Sequence, residues 1–148
     1  MVFPDTSFLC GLDVPQSTSA RAISLMNRQA SALEVSSLLL FELRQSVQFQ
    51  VFRHSKDHSQ GYPLAMAQAA LAALQADVKA GALHLAAVDW ADVHQRAEHL
   101  SRHNTRSGGH RTVDILQVAT ALHLGATTFL TFDANQKNLA EAEGLVVP

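Results

Sequence analysis

The sequence contains a single cysteine, Cys10, so an intrachain disulfide cannot form. Nothing in its cysteine content indicates an oxidising compartment, and this thiol is expected to behave as a small buried hydrophobic group. Aromatic residues are also scarce, at 6% of the chain. Because Tyr62, Trp90 and the scattered phenylalanines form no cluster in the sequence, they predict no platform on which nucleic-acid bases would stack.

Long apolar runs are missing as well. The most apolar segment, 37–41, is followed at once by Glu42 and Arg44, and it is too short to cross a bilayer. The first residues include no basic leader. We therefore expect a soluble, cytoplasmic protein without membrane association. A length of 148 residues with 47% apolar content predicts a single globular domain over 1–148.

The chain has no excess of basic charge, because its formal net charge is −2. Any attraction for a nucleic acid must therefore be local. Segment 94–111 has such a local bias, with four arginines and four histidines against one acid, Glu98. Arginine forks bind phosphate in a bidentate manner, which makes Arg102, Arg106 and Arg111 candidate contacts to the phosphates of a nucleic acid such as RNA. An ordinary solvated surface would explain the same charges equally well.

Short strand-like runs alternate with longer helical runs along the chain, which predicts an α/β fold. Strands are expected at 2–3, 32–35, 83–88, 127–132 and 145–147. Helices are expected at 21–28, 38–52, 64–79, 90–103, 113–124 and from about 134 through 143, with polar loops at 54–61 and 104–110. Asp89 and Thr112 are predicted helix caps, and Gly81 and Gly125 are predicted helix stops. Strands separated by helices imply a mainly parallel sheet covered on both faces.

Four acidic residues stand where such a fold would gather them. Asp5 and Asp133 each follow a predicted strand, Asp114 lies in the first turn of a helix, and Glu42 interrupts an apolar helix. Ligands of parallel sheets bind outside the carboxyl ends of the strands. Mg²⁺ and Mn²⁺ take oxygen ligands, and an ion relieves the repulsion between neighbouring carboxylates. The arrangement therefore predicts a divalent-metal site.

Each of these acids also has a simpler explanation when taken alone. Asp5, Asp114 and Asp133 stand at or near predicted helix starts, where a carboxylate caps amide groups and favours the helix dipole. Glu42 fits a structural role less well, since charged residues avoid apolar helix faces unless they are paired. A phosphatase of the haloacid dehalogenase type is disfavoured, because that chemistry needs a second acid two residues after the first, where Ser7 stands.

A zinc site is a weaker alternative. His54 and His58 are four residues apart, as are His99 and His103, so each pair can share a helix face. No cysteine pair is present to supply the remaining ligands. His123, near the end of its predicted helix, is expected to be a capping or partly buried residue rather than a general base.

Several segments follow one another in an order that is itself informative. The chain contains Asp5-Thr6-Ser7 after its first strand, Leu38-Leu39-Leu40-Phe41-Glu42-Leu43-Arg44, a helix 113–122 that includes Asp114, and Thr131-Phe132-Asp133 followed by 135–136 and 139–140. These segments resemble the PIN domain family, specifically the bacterial VapC-like toxin ribonucleases. The resemblance extends over nearly the whole chain and is most specific in 114–145.

The resemblance implies a three-layer PIN-like α/β domain in which helices flank a mainly parallel central sheet. It also implies Mg²⁺ or Mn²⁺ as cofactor and hydrolysis of RNA phosphodiester bonds by a metal-activated water. The catalytic, metal-binding acids would be Asp5, Glu42, Asp114 and Asp133. Asp5 and Asp114 are the first choices as direct ligands, and the number of ions is left open. Thr6 or Ser7 would orient a ligand or a bound water.

The same resemblance implies partners. VapC-like toxins are neutralised by a small protein antitoxin and often form homodimers, and apolar helix faces in 38–52 and 64–74 are candidate contact surfaces. The chain is therefore expected to be the toxin of a toxin–antitoxin pair. A housekeeping RNA-processing nuclease of the same fold is an alternative. A non-catalytic RNA-binding or protein-binding module is a third possibility, which the four intact acids argue against.

Overall fold

The computed structural model of the protein describes residues 1–148. The strands are β1 (Val2–Pro4), β2 (Leu33–Val35), β3 (Leu83–Leu85) and β4 (Thr128–Leu130). The helices are α1 (Thr6–Asp13), α2 (Ser19–Met26), α3 (Ser37–Lys56), α4 (Leu64–Ala80), α5 (Trp90–Leu100), α6 (Arg106–Gly108), α7 (Thr112–His123) and α8 (Ala134–Ala142), with a π-helical turn at Ser101–Thr105. None of these helices is long and apolar enough to span a membrane.

All strand pairs are parallel, as the alternating pattern predicts. β1 pairs with β4, and β2 pairs with β3. β1 lies beside β2 without a ladder of hydrogen bonds between them, so two two-stranded sheets stand side by side in the spatial order β3, β2, β1, β4. Residues 145–147, predicted as a strand, form only one bridge, between Val146 and Thr128. The α/β fold with a parallel centre is confirmed.

The apolar core lies where the helices cover these strands. Phe3 of β1 and Phe129 of β4 are fully buried, and their rings stack with centroids 6.2 Å apart. Leu39 and Leu43 of α3 are buried in the same core cluster. Full burial of such a side chain contributes about 1.5–3 kcal/mol, so the core fixes the strand ends from which the candidate acids project.

Several predicted caps are present. Asp89 accepts hydrogen bonds from the amides of Ala91 and Asp92 at the start of α5. Gly81 and Gly125 adopt φ values of 77° and 73° just after α4 and α7, a left-handed conformation that glycine tolerates best. These residues end the helices where the sequence predicts.

Other boundaries are predicted wrongly. The strands 83–88 and 127–132 contain only three residues each, Leu83–Leu85 and Thr128–Leu130. The loop 54–61 begins too early, because α3 continues to Lys56, where basic side chains favour the helix C-terminus. The loop 104–110 is mostly helical, and the chain turns at Gly109 instead. Thr112 is the first residue of α7, not its cap.

Candidate active site

The four predicted acids come from four elements and lie around the carboxyl ends of β1 and β4. Asp5 directly follows β1, and its amide donates to the carbonyl of Leu130 at the end of β4. Asp133 is the N-cap of α8, Asp114 lies in the first turn of α7, and Glu42 lies in the second turn of α3. The four acids therefore lie in one region of the fold.

Asp5 is fully buried. Its carboxylate accepts hydrogen bonds from Thr131 Oγ1 at 2.6 Å, Ser7 Oγ at 2.7 Å and the Phe8 amide at 2.8 Å. Burial raises the pKa of Asp5 to about 6; these hydrogen bonds oppose the rise, and the charge of Asp133 adds to it. The carboxylate is therefore held in one orientation by neutral donors, without a cation in direct contact.

Asp114 is 1% exposed, and its partner is Arg111. The guanidinium donates from Nε to Oδ2 at 2.9 Å and from Nη2 to Oδ1 at 3.2 Å. The Arg111 amide also donates to Oδ2, and Gln136 Nε2 donates to Oδ1. Both oxygens of Asp114 are thus engaged by donors.

Arg111 also links the other acids electrostatically. Its Nη2 lies 3.8 Å from Asp133 Oδ2. Hydrogen bonds and charge from Asp114 raise the pKa of Arg111, and the charges of Asp133 and Glu42 add to the effect. Because Arg111 is within the field of these three acids, its guanidinium supplies positive charge at the place where the sequence predicts a metal ion.

Thr6 and Ser7, predicted to orient a ligand or water, bond directly to the acids. Thr6 Oγ1 donates to Glu42 Oε2 at 2.7 Å, and Ser7 Oγ donates to Asp5. Gln117 Nε2 donates to the same Glu42 oxygen at 2.7 Å. These contacts fix the carboxylate that the sequence places in an apolar helix.

Three supporting residues are not among those predicted from the sequence: Thr131, Gln117 and Gln136. Gln117 and Gln136 are buried, and each follows an acid by three residues at the start of a helix, a spacing that brings neighbouring side chains close together. That spacing is the signal from which both could be found. Thr131 Oγ1 joins two acids, since it donates to Asp5 and accepts from the Asp133 amide at 2.9 Å.

The donor set suits a hard divalent cation. Carboxylates from four elements lie in one region, and the Oε1 atoms of Gln117 and Gln136 are buried without a hydrogen-bond partner. Such atoms favour an additional donor, for example a metal-bound water. In this arrangement no three acidic, histidine or cysteine side chains are close enough to hold an ion. The Arg111 guanidinium occupies both oxygens of Asp114 instead.

The histidines have other surroundings. His58 Nδ1 lies 3.3 Å from His54 Nε2 on an exposed surface. His123 Nδ1 lies 2.6 Å from Asp92 Oδ2, and His123 Nε2 accepts from the Asp89 amide. His123 is therefore partly buried, as predicted, and ties α7 to the start of α5.

The basic segment is largely solvent-exposed. Arg102 forms an exposed ion pair with Glu98 at 3.1 Å. Arg106 is exposed and forms no ion pair. Arg102 lies in the π-helical turn and Arg106 is the first residue of α6. From α6 the chain continues through Gly109 to Arg111 and the acids.

Comparisons with known proteins agree with this geometry. The family model described as PIN domain matches residues 2–142. The crystal structure of VapC20 from Mycobacterium tuberculosis, described as a sarcin–ricin loop cleaving toxin, is 22% identical, with a TM-score of 0.68 over 99% of this chain and 97% of that chain. The crystal structure of FitAcB from Neisseria gonorrhoeae is 16% identical, with a TM-score of 0.63 over 99% of this chain and 96% of that chain. Among curated protein sequences, none matches significantly. With a family match over nearly its whole length and a fold shared with these structures, the chain belongs to the PIN domain family.

Proposed function

We propose that this protein is a metal-dependent endoribonuclease that hydrolyses RNA phosphodiester bonds and acts as the toxin of a toxin–antitoxin pair. The observation that carries the proposal is the placement of Asp5, Glu42, Asp114 and Asp133 around the carboxyl ends of β1 and β4. The PIN family match supports nuclease chemistry. The fold shared with VapC20, which is described as a sarcin–ricin loop cleaving toxin, supports the toxin role.

In this proposal Asp5 and Asp114 bind Mg²⁺ or Mn²⁺ directly. Glu42 and Asp133 bind a second ion or hold water by hydrogen bonds. When bound, such an ion supplies an activated water and neutralises charge on the attacked phosphate. The protein's own contribution is orientation, because Thr6, Ser7 and Thr131 hold the carboxylates in place.

We expect cleavage of RNA by the purified protein to require Mg²⁺ or Mn²⁺ and to stop when a chelator is added. Ca²⁺ should bind without supporting turnover, because its coordination is larger and looser. The metal-free protein should stay folded, since the core lies outside the acidic cluster. Gel-based cleavage assays and circular dichroism on the same samples test both statements. Cleavage that persists with chelator, or unfolding caused by it, would contradict a catalytic carboxylate–metal site.

The exposed arginines before Arg111 provide the proposed path for RNA to this acidic site. Replacing Arg102 and Arg106 together by Gln should weaken RNA binding for all sequences and reduce the salt slope of the affinity by about one for each phosphate that is no longer neutralised. The rate at saturating RNA should change little, because neither arginine contacts the acids. Affinity measured over a salt series in Ca²⁺ tests this.

A control with the same charge change is Arg28→Gln combined with Lys79→Gln. Both residues are exposed and lie at helix ends that precede β2 and β3. They are therefore at the amino edge of the sheet, opposite the acids. Equal losses of RNA affinity in the two double variants would mean that only overall charge matters, and would contradict the proposed path for RNA.

Protein partners are proposed for the apolar surface of α3 and the start of α4. Its exposed large side chains are Phe41, Phe49, Phe52, Leu64 and Met66. They fall within the two segments expected to contact an antitoxin or a second copy of the chain. A housekeeping nuclease would have the same acids, so a small antitoxin encoded by the neighbouring reading frame is the observation that separates the two roles.

A further inference from the structure

A pocket of about 430 Å³ opens next to the acidic cluster. Its wall is formed by α1 and the segment after it, by the middle of α3, and by residues 61–62 and Phe132. Its volume falls within the range of roughly 300–1,000 Å³ found for small-ligand sites. The roles proposed above for the acids and arginines leave this pocket unused.

One residue connects the pocket directly to the acids. Ser7 lines the pocket, and its Oγ donates to Asp5 Oδ1 at 2.7 Å while accepting from the Phe132 amide at 2.8 Å. Cys10, also in the wall, has a pKa raised to about 12 by burial and by the charges of Asp13, Asp5 and Glu42. A ligand in the pocket would therefore be adjacent to the acids, and the protonated thiol would not act on it as a nucleophile.

The chemistry of the wall is distinctive because none of its residues is charged. The ring of Phe132 and the half-buried ring of Tyr62 provide aromatic surface, and the carboxamides of Gln16 and Gln50 provide donors and acceptors. A phosphate site would need cationic side chains, and a metal site would need carboxylates. Aromatic surface with neutral hydrogen-bonding groups instead suits a flat heterocycle with a polar edge.

The Phe132 ring is held in position by its neighbours. It packs against Phe8 with ring centroids 5.7 Å apart, and the Arg21 guanidinium lies 5.6 Å from its centroid. Gly11 allows this packing, since a Cβ there would lie 3.1 Å from Phe132 Cε2. The aromatic wall is therefore formed before any ligand binds.

We propose that this pocket binds one unstacked base of the RNA strand whose phosphate lies at the acidic cluster. This inference rests on the proposed ribonuclease function and adds a source of base selectivity to it. Ser7, which touches both the pocket wall and Asp5, sets the short distance between the bound base and the phosphate. The site is thus a substrate subsite that selects by stacking and by hydrogen bonds to the base edge.

The test compares RNA with and without bases. Short single-stranded oligo(A), oligo(C) and oligo(U), together with a ribose-phosphate oligomer that lacks bases, are titrated in Ca²⁺ by fluorescence anisotropy. We expect the base-free oligomer to bind the wild-type protein about 5- to 100-fold more weakly than the preferred homopolymer, the range typical of a stacked base.

Two variants remove the subsite in different ways. Ser46→Leu fills the pocket from α3, and Tyr62→Ala removes an aromatic wall. Both should bind the base-free oligomer like the wild type but lose most of the discrimination between it and the homopolymers. Ser55→Leu is the matched control, because Ser55 is exposed on the same helix and outside the pocket. Circular dichroism checks that each variant is folded.

The assignment is overturned if the wild type binds base-free and base-containing oligomers equally, or if both folded pocket variants keep the wild-type discrimination. After the second result, the pocket would instead be expected to bind an aromatic side chain of a protein partner. Failure of the proposed function is a separate outcome. If the protein cleaves no RNA in Mg²⁺ or Mn²⁺ but the pocket variants still lose base discrimination, the proposed ribonuclease function is wrong and the base subsite stands.

Discussion

Asp114→Asn should lower RNA cleavage by at least ~100-fold, because it removes the charge of a proposed metal ligand at almost constant side-chain size. The fold should survive. The Asn oxygen can still accept from Gln136, which bonds Asp114 Oδ1, and the side chain of Arg111 is 75% exposed and can turn into solvent. Asp5→Asn should cause a loss of similar size, because it also removes a proposed direct ligand.

The measurement is a cleavage assay in Mn²⁺ with protein free of contaminating ribonuclease, combined with thermal unfolding. Asp57→Asn is the control, since Asp57 is an exposed acid after α3 whose side chain bonds only to Ser59 and Gln60. We expect wild-type cleavage from this control. Wild-type cleavage by Asp114→Asn would instead remove Asp114 from the site and with it the proposed arrangement.

The positions of the four acids in the fold depend on signals that are local in the sequence. Asp5 and Asp133 each follow a short strand and cap the next helix, and such caps are recognisable from neighbouring residues. Glu42 is conspicuous because it interrupts an apolar helix. Parallel strands then bring these positions to one edge, so knowledge of the fold class suffices to group them.

What the sequence does not reveal depends on side-chain direction and on contacts between distant segments. The wall of the pocket combines Ser7, Ser46, Tyr62 and Phe132, and no periodicity links residues so far apart. Segments 86–88 and 131–132 have strand-like sequences, yet they lie outside the strands because each pair of neighbouring strands is matched over only three residues. Propensity alone cannot show where a partner strand ends.

Arg111 shows the same limit on what the sequence reveals. Its charge and its place in segment 94–111 suggest a phosphate contact, whereas the structure pairs it with Asp114, three residues further along. The pairing arises because Arg111 stands just before α7 and Asp114 lies in the first turn, so that the carboxylate also accepts from the Arg111 amide. Both roles become compatible if the guanidinium pairs with Asp114 in the metal-free protein and contacts RNA after an ion has displaced it.

Arg111→Gln should therefore tighten Mn²⁺ binding by about tenfold, because the ion no longer competes with a guanidinium whose charge-assisted hydrogen bonds are worth roughly 1.5–3 kcal/mol. The metal-free variant should be less stable than the wild type by about 1–3 kcal/mol, since a buried carboxylate loses its cationic partner. RNA affinity in saturating Mn²⁺ should fall in the same variant. Isothermal titration with Mn²⁺, thermal unfolding in chelator and RNA binding with a non-cleavable substrate measure the three effects.

Arg102→Gln is the matched control. Arg102 is an exposed arginine whose ion-pair partner is Glu98, away from the acids, so the same substitution there should leave Mn²⁺ affinity and metal-free stability unchanged. Weaker Mn²⁺ binding by Arg111→Gln would mean that Arg111 supports the metal site by orienting Asp114 instead of competing with the ion. If the Arg111 guanidinium is displaced by the metal ion, Arg111→Gln must show both tighter Mn²⁺ binding and lower metal-free stability. The reason is that the ion pair with Asp114 stabilises the metal-free protein and competes with Mn²⁺ for the same carboxylate.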